Sequence, residues 1–197
     1  MDTYAYTLVT APAGLAVDDA QMEAHARAAG QPTDQLTPYV AAAQAWAERW
    51  CARKLVSQTW KWFLDDWPCS DRLILPFGQL TSVTHVKYTD SADAQSTWAS
   101  TNYAVSTARD PGVLALKYGQ SWPSATLRTL DPIEIQFVCG WATAGDVPAD
   151  IRNAILLLAG HLYEHREDVI VEGTQSVDSQ AIAFGTGALL TNWRLHL

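Results

Sequence analysis

Apolar residues in this chain begin at helical spacing, switch to strict alternation near residue 57, and return to helical spacing near residue 148. In LAVDDAQMEAHARAAG, Asp18 or Asp19 is placed to cap a first helix, acidic residues fill its first turn, and Gly30 is the predicted stop. The next segment, LTPYVAAAQAWAERWCARKLV, sets Tyr39, Ala43, Trp46 and Trp50 along one helical stripe. Thr37 is its predicted cap and Pro38 its first helical residue, while Arg53 and Lys54 fall where the negative helix end favours cations.

SQTWKWFLDDWP then alternates and is rich in aromatics, which predicts a half-buried strand ending at Pro68. RLILPFGQLTSVTHVKYTD predicts two more strands around a Pro-Phe-Gly break. Val83, His85 and Lys87 should share one face, and Thr84, Val86 and Tyr88 the other. NYAVST, GVLALKY and IEIQFVCGW read as further short strands between Gly, Pro, Asp and Ser turns. Helical spacing resumes in VPADIRNAILLLAGHLYEHRED, started by Pro148 and Asp150, with Ile151, Ala154, Ile155, Leu158 and Leu162 as its stripe. The tail is rich in Gly, Ser, Thr and Gln and closes on Leu189, Leu190 and Trp193. It predicts either a spacer with an apolar anchor for a partner, or a short helix folding back on the chain itself.

The expected class is therefore α+β: a core of about three to four helices with an inserted β-rich subdomain and an extended C-terminal tail. The expected divisions are 1–56 for the N-terminal helices, 57–146 for the β-rich insertion, 147–168 for the central core helix, and 169–197 for a flexible docking tail.

Length and composition narrow this further. A chain of 197 residues supports one core with an insertion more readily than two full domains. A net charge of −8 with scattered Lys and Arg argues against wrapping nucleic acid, yet suits a passage through which DNA slides without sticking. No stretch reaches the roughly 18 apolar residues of a membrane span, and MDTYAYTLVTAPAGL lacks the basic start and apolar run of a signal peptide. Cys51, Cys69 and Cys139 form no paired framework and are expected to be reduced and buried. Nine tryptophans point to core and interface packing, with a ligand platform on Trp60, Trp62, Trp98 or Trp122 as the alternative.

One stretch carries potential chemistry. In GHLYEHREDVI, His161, Glu164 and His165 spell H-x-x-E-H, in which two histidines four apart could grip zinc with the glutamate as base. A catalytic zinc needs a third protein ligand. The 32 residues after His165 offer only Glu167, Asp168, Glu172 and Asp178, two in the same turn and two in a Gly/Ser-rich stretch. The pattern reads as a helix end whose His165 and Arg166 meet the negative dipole, with a zinc hydrolase as the alternative. No nucleophile elbow, phosphate loop or dinucleotide fingerprint is present. No catalytic residue, metal ligand or cofactor is assigned, and the chain is not expected to be an enzyme.

The succession of segments resembles one family, the head–tail connector (adaptor, or head-completion) proteins of long-tailed phages and phage-like gene transfer agents. The resemblance is carried by the early acidic helix, the aromatic-striped second helix, LDDWP…LILPFGQLTSVTHVKYTD, the later Y-x-V, WP and I-x-I-x-F-x-x-G pieces, and VPADIRNAILLLAGHLYEHRE, in that order. It spans residues 8 to about 168. It implies a structural ring of about twelve subunits beneath the portal, extending the DNA channel and receiving a stopper or tail-completion protein. The implied partners are thus the portal ring, that stopper and further copies of the chain, with DNA only as passing cargo and no membrane. The implied location is the head–tail junction of a virion or phage-like particle assembled in the bacterial cytoplasm. It further implies that Phe184, Leu189, Leu190, Trp193 and Arg194 dock the tail on the portal, so that deleting residues 181–197 would spare the fold.

Overall fold

Six residues near the N-terminus, AYTLVT, form β1 (Ala5–Thr10) and join strands that begin some fifty positions later. The fold was obtained as a computed structural model in which residues 5–27, 33–164 and 179–195 are described, with 33–34 and 179–184 described by their backbone alone. The chain divides into two compact units: Met1–Ala13 with Ser57–Trp141, and Gly14–Val56 with Ala142–Leu197.

The first unit is all β. Strands β2 (Gln58–Leu64), β4 (Leu80–Thr89), β5 (Gln95–Trp98) and β8 (Ile133–Cys139) combine with β1 in an antiparallel sheet ordered β1-β2-β8-β4-β5. Strands β3 (Arg72–Ile74), β6 (Tyr103–Ser106) and β7 (Val113–Leu116) form a second sheet ordered β3-β7-β6. In β8, Ile133, Ile135, Phe137 and Cys139 alternate inward, and Leu73, Leu75, Leu114, Val86 and Trp98 from both sheets complete the core. The six strands expected from the sequence become eight among the described residues, the additional two being β1 and the short β5.

The predicted face of Val83 is corrected. Register shifts between Leu80 and Ser82 and between Val83 and His85 mark bulges in β4. Each extra residue resets the alternation, so Val83, opposite Phe137, packs against the core with Val86 and Tyr88, while His85 and Lys87 stay on the outer face.

The second unit is helical: α1 (Asp19–Ala26), α2 (Thr33–Cys51), α3 (Ala149–Glu164) and α4 (Ser179–Thr191). Asp18 caps α1 through a capping box, its carboxylate accepting from the Gln21 amide at 2.7 Å while the Gln21 side chain accepts from the Asp18 amide. The helix ends at Arg27, in left-handed conformation, short of the predicted Gly30. Helix α2 begins before the predicted Thr37 cap, which leaves Pro38 inside it at the cost of one backbone hydrogen bond. The Thr37 hydroxyl instead donates to the Asp19 carboxylate at 3.0 Å, tying α2 to α1. In α3 the buried positions are Ile151, Ala154, Ile155, Ala159 and Gly160. Three of these belong to the predicted stripe, whose Leu158 and Leu162 are half-buried, while Leu157 on another face is exposed. No helix among the described residues is long and apolar enough to cross a membrane.

Candidate functional site

The C-terminal residues do not hang free of the helical unit. Leu190 and Leu195 are buried, and the Leu195 amide donates to the Cys51 carbonyl at 2.9 Å. The Arg53 guanidinium donates to the Trp193 carbonyl, and the Cys51 thiol reaches the Leu190 carbonyl at 3.8 Å. Burial pushes the Cys51 thiol up to about 11, against the opposing pull of the Arg53 and Arg194 charges. Of the two outcomes left open for this tail, helix α4 takes the one that folds back. Removing residues 181–197 would uncover this face of α2, which argues against the expectation that the deletion spares the fold.

The five candidate docking residues separate by environment. Leu190 is buried, Leu189 and Trp193 are half-buried, and Arg194 is exposed. The Phe184 side chain lies outside the described residues. Arg194 sits 5.6 Å from the centroid of Trp50, which stacks on Trp46 at 5.2 Å. This surface of Trp50 and Arg194 was invisible to sequence spacing, because its members are far apart along the chain.

The histidine motif is only partly placed. His161 and Glu164 close α3 and line an open hollow of about 350 Å³ with His25 and Leu157, while His165 and the acidic residues after it lie outside the described residues. Gly160 lets the His25 ring approach, since a Cβ there would stand 3.3 Å from His25 Cδ2. Among the described residues no group of three or more His, Cys, Asp or Glu is disposed to hold a metal ion. The zinc alternative gains nothing from this geometry.

The tryptophans of the β unit spend their faces on one another. Trp67 stacks on Trp122 at 5.0 Å, Trp98 lies 5.2 Å from Trp122, and Trp60 packs on Phe77 at 5.0 Å. Trp62 and Trp98 are buried, so the four residues do not form an open platform. Cys51 and Cys139 are buried and outside any disulfide, as expected, but Cys69 is exposed in the loop after Pro68, correcting the expectation for that residue.

On the outer face of the large sheet, one Glu134 oxygen meets two side chains from the flanking strands, the Lys61 ammonium at 3.0 Å and the His85 ring at 2.8 Å. Burial alone pushes the Glu134 carboxyl up. Hydrogen bonds from His85 and Lys61, with their charge, outweigh burial and hold it below its ordinary value. Alternation could have placed Lys61 and Glu134 on one face, but not the register that makes them diagonal neighbours, with Lys61 opposite Gln136.

No protein-family model and no curated relative matches the sequence. Solved structures do match. A chain in the virion of a native gene transfer agent (GTA) particle superposes with a TM-score of 0.77 at 26% identity. Chains in the neck of an empty GTA particle with C6 symmetry and of a native GTA particle with C12 symmetry give 0.76 at 26% and 0.74 at 28%. In each case the match covers 98% of this chain and 96% of the other. The helical unit with its two-sheet β unit is thus the fold of a particle-neck component, in agreement with the head–tail connector resemblance carried by the motifs.

Proposed function

We propose that this chain is a structural adaptor of a particle neck, forming a ring that joins the capsid vertex to the tail and continues the channel through which DNA passes. The observation that carries the reading is the likeness over 98% of the chain to components of GTA virions and necks, two of them in assemblies of C6 or C12 symmetry. The net charge of −8 fits a wall that repels passing phosphate. The work is assembly, with no catalytic step, metal or cofactor.

Within this reading the portal ring lies above the adaptor and a stopper or tail-completion protein below. The end of α4 supplies the portal contact: Arg194, Trp193 and Leu189 are accessible at the surface, and Leu190 holds the helix in place. Aromatic and arginine side chains of this kind are the usual energetic centres of interfaces, and repetition around a ring multiplies a weak contact.

The test is removal of the chain from cells that make the particle. Filled heads and separate tails are expected, rejoined when the chain is restored. Complete tailed particles made without it would overturn the reading. Restoring Arg194→Glu in its place should leave heads and tails apart; full restoration by that variant would remove the α4 contact alone.

A further inference from the structure

Tyr118 is fully exposed, although tyrosine has more apolar surface than a loop tip needs. It is also firmly presented. Lys117, Tyr118, Gly119 and Gln120 make a tight turn in which the Gln120 amide donates to the Lys117 carbonyl at 3.0 Å. Gly119 takes φ +76°, as the third position of such a turn demands. The Lys117 amide donates to the Asn102 carbonyl at 3.0 Å, and its ammonium reaches the Ser100 carbonyl at 3.4 Å. The ring is therefore an exposed knob on a braced stem.

The same β unit carries a hollow suited to such a knob. On the outer face of the small sheet, Arg72, Ala115 and Ala104 stand opposite one another across the three strands. The two alanines leave a depression of about 220 Å³, with Val113 in its lining and Arg72 and Arg109 beside it. Ile74, exposed to 54%, extends the apolar surface next to Arg72. A space of about 150 Å³ is enough to hold a benzene ring, and guanidinium groups favour the face of an aromatic ring. Size and chemistry both suit a tyrosine.

We infer that Tyr118 of one copy seats in the Arg72–Arg109 hollow of the next, making the head-to-tail contact of the ring. The inference rests on the ring reading above. Knob and hollow are different surfaces present on every copy, which is what a closed heterologous ring requires, and chains sharing this fold occur in necks of C6 and C12 symmetry.

A disulfide trap tests it, run with the full chain alone and added to portal rings. In a Cys69→Ser background, which removes the exposed thiol, Tyr118→Cys and Ala104→Cys are combined and oxidised. The expected product is a ladder of covalent multimers of the 21.6 kDa chain. Equal mixtures of the two single variants should stop at dimers. Sedimentation in parallel should give rings for the wild type and at least a tenfold weaker association for Tyr118→Ala and Ala104→Trp, all with unchanged circular dichroism. Rings from wild type and Tyr118→Ala alike, without a ladder, would overturn the knob and leave the ring standing. A wild type that stays monomeric even with portal, again without a ladder, would overturn both.

Discussion

The Cys51 thiol lies 3.8 Å from the carbonyl oxygen of Leu190, a residue 139 positions further on, so the end of α2 and the end of α4 hold each other. Arg53 and the Cys51 carbonyl add hydrogen bonds to Trp193 and Leu195 on the same seam. A buried thiol with a pKa of about 11 has almost no thiolate at pH 8. A thiol reagent should therefore modify Cys69 rapidly in the native protein and reach Cys51 and Cys139 only on unfolding. A thiol count of one without denaturant and three with it checks this. Fast reaction of all three in the native state would contradict the seam.

Leu190→Ala should loosen α4. Leu190 is fully buried, and deleting its side chain should cost about 2–5 kcal/mol, as for other large-to-small core changes. Denaturant unfolding measures the cost, and faster labelling of Cys51 should accompany it. Arg194→Ala, at an exposed position, should change stability by less than about 1 kcal/mol.

How far the sequence foretold this arrangement differs from segment to segment. The stripe Tyr39, Ala43, Trp46 and Trp50 marked α2, and the alternation in IEIQFVC marked β8, because each periodicity is local and repeated. The start of α2 was misplaced where a tertiary contact intervened. Thr37 has the chemistry of a cap but spends its hydroxyl on Asp19. The bulges in β4 could not be read, since one extra residue leaves no mark on composition. Strand β1 carries no clean alternation, with Leu8 and Val9 adjacent and both exposed, and its partner β2 is some fifty residues away with no turn to announce it. Candidate surfaces suffered most. Trp50 with Arg194, and Lys61 with Glu134, meet only through the fold.

Acid should act on the large sheet through Glu134. Its pKa is lower in the folded chain than its ordinary 4.5. Its stabilising contribution is thus fully present above that value and lost as pH falls through the folded pKa. Glu134→Gln should flatten the fall of stability with pH in this window, while leaving Lys61 and His85 without their carboxylate near neutrality. Melting temperatures of both proteins from pH 3 to 7 check the sign. Parallel curves below pH 4.5 would contradict it.

Gly112 is a point of close approach in the β unit. A Cβ there would collide with the buried side chain of Leu80 at a distance real contacts do not show. The backbone cannot simply retreat, because the Gly112 carbonyl accepts from the Leu75 amide at 2.8 Å. Gly112→Ala should therefore destabilise by about 1–3 kcal/mol or more, as overpacked cores do. Gly14→Ala, where a Cβ meets nothing within 4 Å, is the control and should stay within about 0.5 kcal/mol.

Negative-stain imaging of the purified protein mixed with portal rings from the same particle tests whether the chain is a ring-forming adaptor of a particle neck. A ring of added density, coaxial with the portal and confined to its tail-facing end, is expected. Bare portals at saturating protein, or density scattered over the portal without rotational order, would contradict it.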